Sequence, residues 1–430
     1  MHGRPRQKPG QADPEKAKAA ATKAALFGQL SKEVLSRRSA RRYDAESLAL
    51  GAKLLELHPE VYTVWNYRRE ALGPVLAAGG EAAVAAVQAE LALTERALHR
   101  NPKSYATWHH RRYLVAQGMC SLEHELALVC KLLEVDERNF HGWGYRCFVV
   151  QLMGTPAERE LGYAAEKINQ NFSNYSAWHC RTALLPALHG GGGAAEAALA
   201  AALAGARLGG EAAGEAAGVA AGEAAGGAAG EGAGEAGEAA GGVAGAPGDQ
   251  PPVPQYGVQA PPVCTAAATS AVPKEALDKE FELVKQAFFT EPEDQSGWFY
   301  HRWLLGCSLA RWEQARGGSR HGEERRAVLA VLAREQEMCQ ELLEVEHDSK
   351  WPLLTLTRLR ELQQQVQHGG AATGGGDGGG GEGDADPELA EEIAEGYARL
   401  IELDPLRAGY YKDARDGRAH VVARPAAAHA

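Results

Sequence analysis

No Cys-x-x-Cys pair occurs among the seven cysteines, and an odd count with such wide gaps excludes a disulfide framework. A reducing compartment fits that usage best. The N-terminus, residues 1–18, lacks the apolar stretch that a secretory signal needs. No run of about 18 apolar residues that could span a bilayer is present, and the last five residues hold no prenylation box. Strand-type alternation is missing. Also missing are HExxH, HxH, closely spaced Cys/His ligands, a GxxxxGK[ST] loop and GxSxG, so the chain lacks a self-sufficient catalytic constellation. The expectation is a soluble, cytoplasmic chain with no membrane span.

Basic excess is lacking too. The net charge of −11 sits in two segments. Residues 190–273 hold 21 glycines, eight acids and one base (Arg207), and residues 369–386 hold ten glycines and four acids. The other 328 residues are about neutral. The acidity is therefore no functional surface, and a nucleic-acid partner is not expected, because phosphate neutralisation needs a basic surplus.

What the chain does have is a repeat. A leucine-rich run, a short polar break and an aromatic lead into Trp-x-x-Arg. The phrase occurs as HPEVYTVWNYRRE (58–70), NPKSYATWHHRRY (101–113), DERNFHGWGYRCF (136–148), NFSNYSAWHCRTA (171–183) and EPEDQSGWFYHRW (291–303). Degenerate copies follow at 346–358 and 404–415. With both Gly-rich segments set aside, the period is about 35 residues. Leucines at i, i+3 and i+4 before each break predict a helix, and the break predicts a stop and a new start. Such hairpins bury their apolar faces only by stacking.

The expected fold is all-α: a right-handed α-α superhelix, or solenoid, of about seven hairpins behind an N-terminal helix from Pro14 to about Arg38. Its expected organisation is 1–189 for that helix and repeats one to four, 274–368 for repeats five and six, and 387–415 for repeat seven. Segments 190–273 and 369–386 are expected to be disordered insertions, and 416–430 a flexible tail.

Trp65, Trp108, Trp143, Trp178 and Trp298 are expected in the core, because a large aromatic at a fixed repeat position buries area between hairpins. Arg68, Arg111, Arg146 and Arg181 are expected to pair with acids of adjacent helices or to lie over rings. His301 takes the arginine position in the fifth unit. The third break position holds Glu60, Lys103, Arg138, Ser173 and Glu293, and the fifth holds Tyr62, Tyr105, Phe140, Tyr175 and Gln295. Lys or Arg beside a phenol at a helix start is competent to bind an anion. By residues alone, Lys103 and Arg138 read equally as solvated charges. His109, His110, His141, His179 and His301 read as polar groove lining or satisfied core imidazoles.

The repeated phrase resembles the α-subunit repeat of protein prenyltransferases. Its closest likeness is to the Rab geranylgeranyltransferase (type II) branch, through NPKSYATWHHR, DERNFHGW, NFSNYSAWH, QAFFTEPEDQSGWFYHRWLLG and the opening Met-His-Gly-Arg. The resemblance implies a heterodimer with a β subunit that holds zinc and the lipid pocket. It implies geranylgeranyl transfer from geranylgeranyl diphosphate to C-terminal cysteines of Rab GTPases presented by an escort protein. It carries a diphosphate-contacting Lys and Tyr onto Lys103 and Tyr105 as catalytic residues, with Arg138 as a weaker diphosphate contact. It implies no metal site in this chain, although His2 could reach a neighbouring metal. Two other readings stay open: the α subunit shared by farnesyltransferase and type I geranylgeranyltransferase, and a non-catalytic helical-repeat scaffold.

Overall fold

A computed structural model describes residues 14–189, 272–368, 386–416 and 418. His2 and most of both expected insertions and of the tail lie outside the described residues. Among those described, the chain forms fifteen α-helices and no strand. They fall into two compact units, Met1–Gly154 and Thr155–Ala430.

The first unit opens with α1 (Pro14–Ser39). Three hairpins follow: α2 (Ala45–Leu57) with α3 (Tyr62–Ala78), α4 (Gly80–Arg100) with α5 (Tyr105–Val115), and α6 (Leu122–Val135) with α7 (Phe140–Leu152). Gly79 and Gly80 turn the chain from α3 into α4 at φ 68° and 72°, a conformation glycine adopts without strain. Val34 of α1 joins Leu54, Leu55, Val64, Trp65, Tyr67 and Leu93 in one core.

The second unit holds four hairpins: α8 (Ala157–Gln170) with α9 (Tyr175–His189), α10 (Lys274–Thr290) with α11 (Gln295–Gln314), α12 (His321–Val345) with α13 (Lys350–His368), and α14 (Pro387–Leu403) with α15 (Ala408–Arg415). A single 3-10 turn, Pro405–Arg407, links the last pair. Three residues assigned to the insertions, Val272, Pro273 and Asp386, belong to this folded unit. Val272 is fully buried, and its carbonyl accepts a hydrogen bond from Arg311. Asp386 caps α14, its carboxylate accepting from the N–H groups of Glu388 and Leu389. These are the seven hairpins behind an N-terminal helix that the repeat predicts, stacked in α-α solenoid fashion within each unit.

The sequence builds the hairpins from three recurring devices. The break caps the second helix: Ser104, Asn139, Asn174 and Asp294 accept hydrogen bonds from N–H groups of the first turn. The tryptophan then fastens the break. Each indole Nε1 donates to the carbonyl six residues earlier: Trp65 to Pro59, Trp108 to Pro102, Trp143 to Glu137, Trp178 to Phe172 and Trp298 to Pro292, at 2.8–2.9 Å. All five rings are buried, each worth roughly 4–6 kcal/mol of gross apolar burial.

The third device is a buried carboxylate that joins neighbouring hairpins. Arg68 of α3 donates to Glu90 of α4, which also bonds His110 of α5 at 3.2 Å. Arg111 donates to both oxygens of Glu125 at 2.7 and 2.8 Å, and Tyr145 of α7 donates to the same group. Arg181 and Tyr300 converge on Glu280, and His301 meets Glu335 at 2.9 Å. Each carboxylate thus takes the Trp-x-x-Arg arginine, or its histidine replacement, from the preceding hairpin. Burial favours protonation of Glu90, but the hydrogen bonds from His110 and Arg68 hold its pKa at about 2.

Candidate functional site

Lys103 and Tyr105 stand where α4 ends and α5 begins. The turn that carries them is pinned from both sides. Asn101 accepts from the Lys103 N–H at 3.1 Å, Ser104 caps α5, and Trp108 holds the carbonyl of Pro102. With the backbone fixed, both side chains point outward: Lys103 is 60% exposed at its side chain and Tyr105 is 61% exposed. The Lys103 ammonium lies 3.6 Å from Asp136, a solvent-facing pair that contributes little and yields readily to another anion.

His141, the second residue of α7, meets the Tyr105 ring edge-on with centroids 4.3 Å apart. Phe140 also meets that imidazole edge-on, with centroids 5.2 Å apart. Burial, reinforced by the charges of Arg112 and Lys103, brings the His141 pKa down to about 4. The ring is therefore neutral near pH 7. The cluster offers an exposed ammonium and an exposed phenol at a helix N-terminus, flanked by an uncharged imidazole. That is equipment for holding an anion and donating a hydrogen bond to it.

The other expected positions separate. Arg138 is exposed in the break before α7, one repeat on from Lys103. Phe140 stands in the phenol column without a hydroxyl. In the first repeat the cation is replaced by Glu60, and Tyr62 stacks on His109 at 6.0 Å. In the second unit the equivalent column is neutral or acidic: Ser173 bonds Glu291 and Asp294, and Glu293 accepts from Ser349. The pairing of a cation with a phenol is thus confined to Lys103 and Tyr105. Of the repeat signature, Arg68, Arg111 and Arg181 are clamped on carboxylates, and Arg146 donates to Cys130 Sγ at 2.9 Å.

Residue reasoning missed two elements. The contacts of Arg112 and His141 depend on α5 lying beside α7, and no local pattern announces that. The carboxylate column, by contrast, has a signal. Glu90, Glu125, Glu160, Glu280 and Glu335 each stand 12 residues before the second residue of their break, and all five are buried. Among the described residues, no group of three or more His, Cys, Asp or Glu side chains could hold a metal ion, and no helix is long and apolar enough to cross a membrane.

The protein prenyltransferase alpha subunit repeat matches residues 44–73, 87–118, 122–153, 157–188 and 277–308. Over 143 residues, a third of its length, the chain is 29% identical to the geranylgeranyl transferase type-2 subunit alpha of Dictyostelium discoideum, matching 35% of that protein. The Schizosaccharomyces pombe protein of the same name is 28% identical over 142 residues, 33% of this chain and 36% of its own. A 35-residue stretch, 8% of this chain, is 69% identical to the Homo sapiens protein of that name and covers 6% of it. The matched region thus spans about a third or less of these relatives. A solved structure described as Candida albicans protein geranylgeranyltransferase-I complexed with GGPP superposes with a TM-score of 0.52 at 16% identity, over 92% of this chain and 91% of that one, which shows the fold alone. Five matches in order give the chain the repeat of protein prenyltransferase alpha subunits within the described residues.

Proposed function

We propose that this chain is the α subunit of a heterodimeric type II, or Rab, geranylgeranyltransferase. In this reading it works with a β subunit and an escort protein to transfer geranylgeranyl from its diphosphate to C-terminal cysteines of Rab GTPases. The observation that carries the reading is the Lys103–Tyr105 pair, exposed on a pinned turn at the head of α5. The relatives named as type-2 alpha subunits support the branch.

Prenyl transfer breaks a carbon–oxygen bond and leaves charge on the departing diphosphate. Lys103 meets that charge as a cation, and Tyr105 donates a hydrogen bond to it. In this reading the zinc is held by the β subunit. Zinc bound there would supply a thiolate nucleophile at neutral pH. This chain holds and neutralises the leaving group.

Co-expression with a prenyltransferase β subunit tests the reading. The expected result is a one-to-one complex that geranylgeranylates a Rab protein only when an escort protein is added. A complex that instead farnesylates a short C-terminal peptide without an escort would move the chain to the shared-subunit branch. A monomer without affinity for any β subunit would remove the enzyme reading.

A further inference from the structure

The faces of α3, α5 and α7 form a ladder with two kinds of rung. On the lower rungs a phenol meets an imidazole: Tyr62 with His109 at 6.0 Å and Tyr105 with His141 at 4.3 Å. On the upper rungs a guanidinium covers a ring: Arg69 over Tyr113 at 4.7 Å and Arg112 over Phe148 at 5.6 Å. Tyr105 and Arg112 are seven residues apart on α5, and their partners His141 and Phe148 are seven apart on α7. Seven residues are two helical turns, about 10.5 Å, so both rungs share one face. Long helical side chains lean toward the helix N-terminus, which carries the Arg112 guanidinium from its own turn toward Tyr105 and His141.

We infer that Arg112 is a second cation of the anion site formed by Lys103 and Tyr105, and that His141 is the positioning residue that sets the Tyr105 ring between them. The inference rests on the proposed diphosphate site and deepens it. Two cations whose charges both bear on His141 suit an anion with two charged centres, such as a diphosphate, better than a single carboxylate. The flat edge of His141 fixes the ring plane, so the hydroxyl is held in one direction before the ligand arrives. Burial and the two neighbouring cations keep His141 uncharged, so it adds no third positive charge to the site. Asp136 lies 3.6 Å from the Lys103 ammonium, an exposed pair that an incoming anion can displace.

Binding of inorganic pyrophosphate to the full chain, followed by calorimetric titration, tests both parts. Arg112→Gln should weaken binding about tenfold or more, as Lys103→Ala should, while Arg112→Lys retains most of it. His141→Ala should weaken binding severalfold, and His141→Phe, which keeps a ring edge against Tyr105, should restore it. Parental affinity in Arg112→Gln with weakened binding in Lys103→Ala would overturn the role of Arg112 and leave the Lys103 site standing. Parental affinity in both would remove the site itself. Equal loss in His141→Ala and His141→Phe would overturn the positioning role. Circular dichroism of each variant reports folding, and Arg112→Lys keeps the question answerable should Arg112→Gln unfold.

Discussion

Arg181 and Glu280 stand 99 residues apart in the chain, and their side chains are bonded: the arginine Nε donates to Oε2 at 2.8 Å and Nη2 donates to Oε1. Arg181 also holds the carbonyl of Leu161 at 2.9 Å. The fourth and fifth hairpins are therefore joined in the same manner as the first and second, where no long segment intervenes.

That joint sets an expectation for the intervening sequence. Replacing residues 190–270 by a Gly/Ser linker of about ten residues should leave the thermal midpoint within about 2 °C, since loop-closure entropy changes slowly with length. The cut must spare Val272, which is buried and accepts from Arg311. Differential scanning calorimetry reads the outcome, and a fall of 10 °C would mean that the segment contributes to folding.

Glu125 carries a second expectation. Its carboxylate takes Arg111 on both oxygens and Tyr145 besides. Glu125→Ala should cost about 3–5 kcal/mol, because it strands a buried guanidinium. Urea unfolding of Glu125→Ala, Arg111→Ala and the double variant should show strong coupling. Simple additivity would mean that the two side chains do not depend on each other.

Acid should act in two windows. Glu90 is held at about 2, below its ordinary 4.5, so its stabilisation is complete above pH 4.5 and disappears as the pH falls toward 2. Histidine works in a higher window here. Burial lowers the pKa of His110 and His179, and burial with neighbouring cations lowers that of His141 from 6.5 to about 4. The unfolded chain takes up protons at these positions first, so stability declines as pH falls below 6.5. Urea midpoints from pH 8 to 3 should show both losses, and His141→Phe should reduce the upper one. An unchanged upper slope in that variant would place His141 in solvent.

Lys103→Ala should lower prenyl turnover of the assembled heterodimer by one order of magnitude or more and leave assembly intact. Single-turnover assays separate the chemical step from product release. Unchanged turnover would make Lys103 an ordinary surface charge.

The repeat was legible because Trp, its aromatic neighbour and the break recur in fixed register, so the hairpins follow from spacing, while the N-terminal helix follows from its Ala/Lys/Leu-rich composition. Lys103 and Tyr105 stood out as a column of cation and phenol, but residue type alone could not separate a site from a solvated charge. His141 was legible only as one of several groove or core histidines, and the contacts of His141 and Arg112 were hidden for a physical reason. Their environment is made by a neighbouring hairpin, and a ring whose centroid lies 4.3 Å away leaves no trace in local pattern. The carboxylate column was readable in principle, because Glu recurs 18 residues before Trp108, Trp143, Trp178 and Trp298.

The carboxylate joints also say where the second unit gives way. Glu280 fastens the fifth hairpin to the fourth, and Glu335 fastens the sixth to the fifth, but the equivalent position of the seventh is Ile393. That hairpin is held instead by Tyr397 on Glu361, by Arg360 with Glu392 and by a buried cluster in which Leu353 of α13 meets Tyr397, Leu400 and Tyr411. In a chain of nearest-neighbour couplings, a joint without the buried ion pair opens independently of the joints that have it. Amide exchange should therefore be faster in α14 and α15 than in α10 and α11, which the carboxylate joints fasten on both sides.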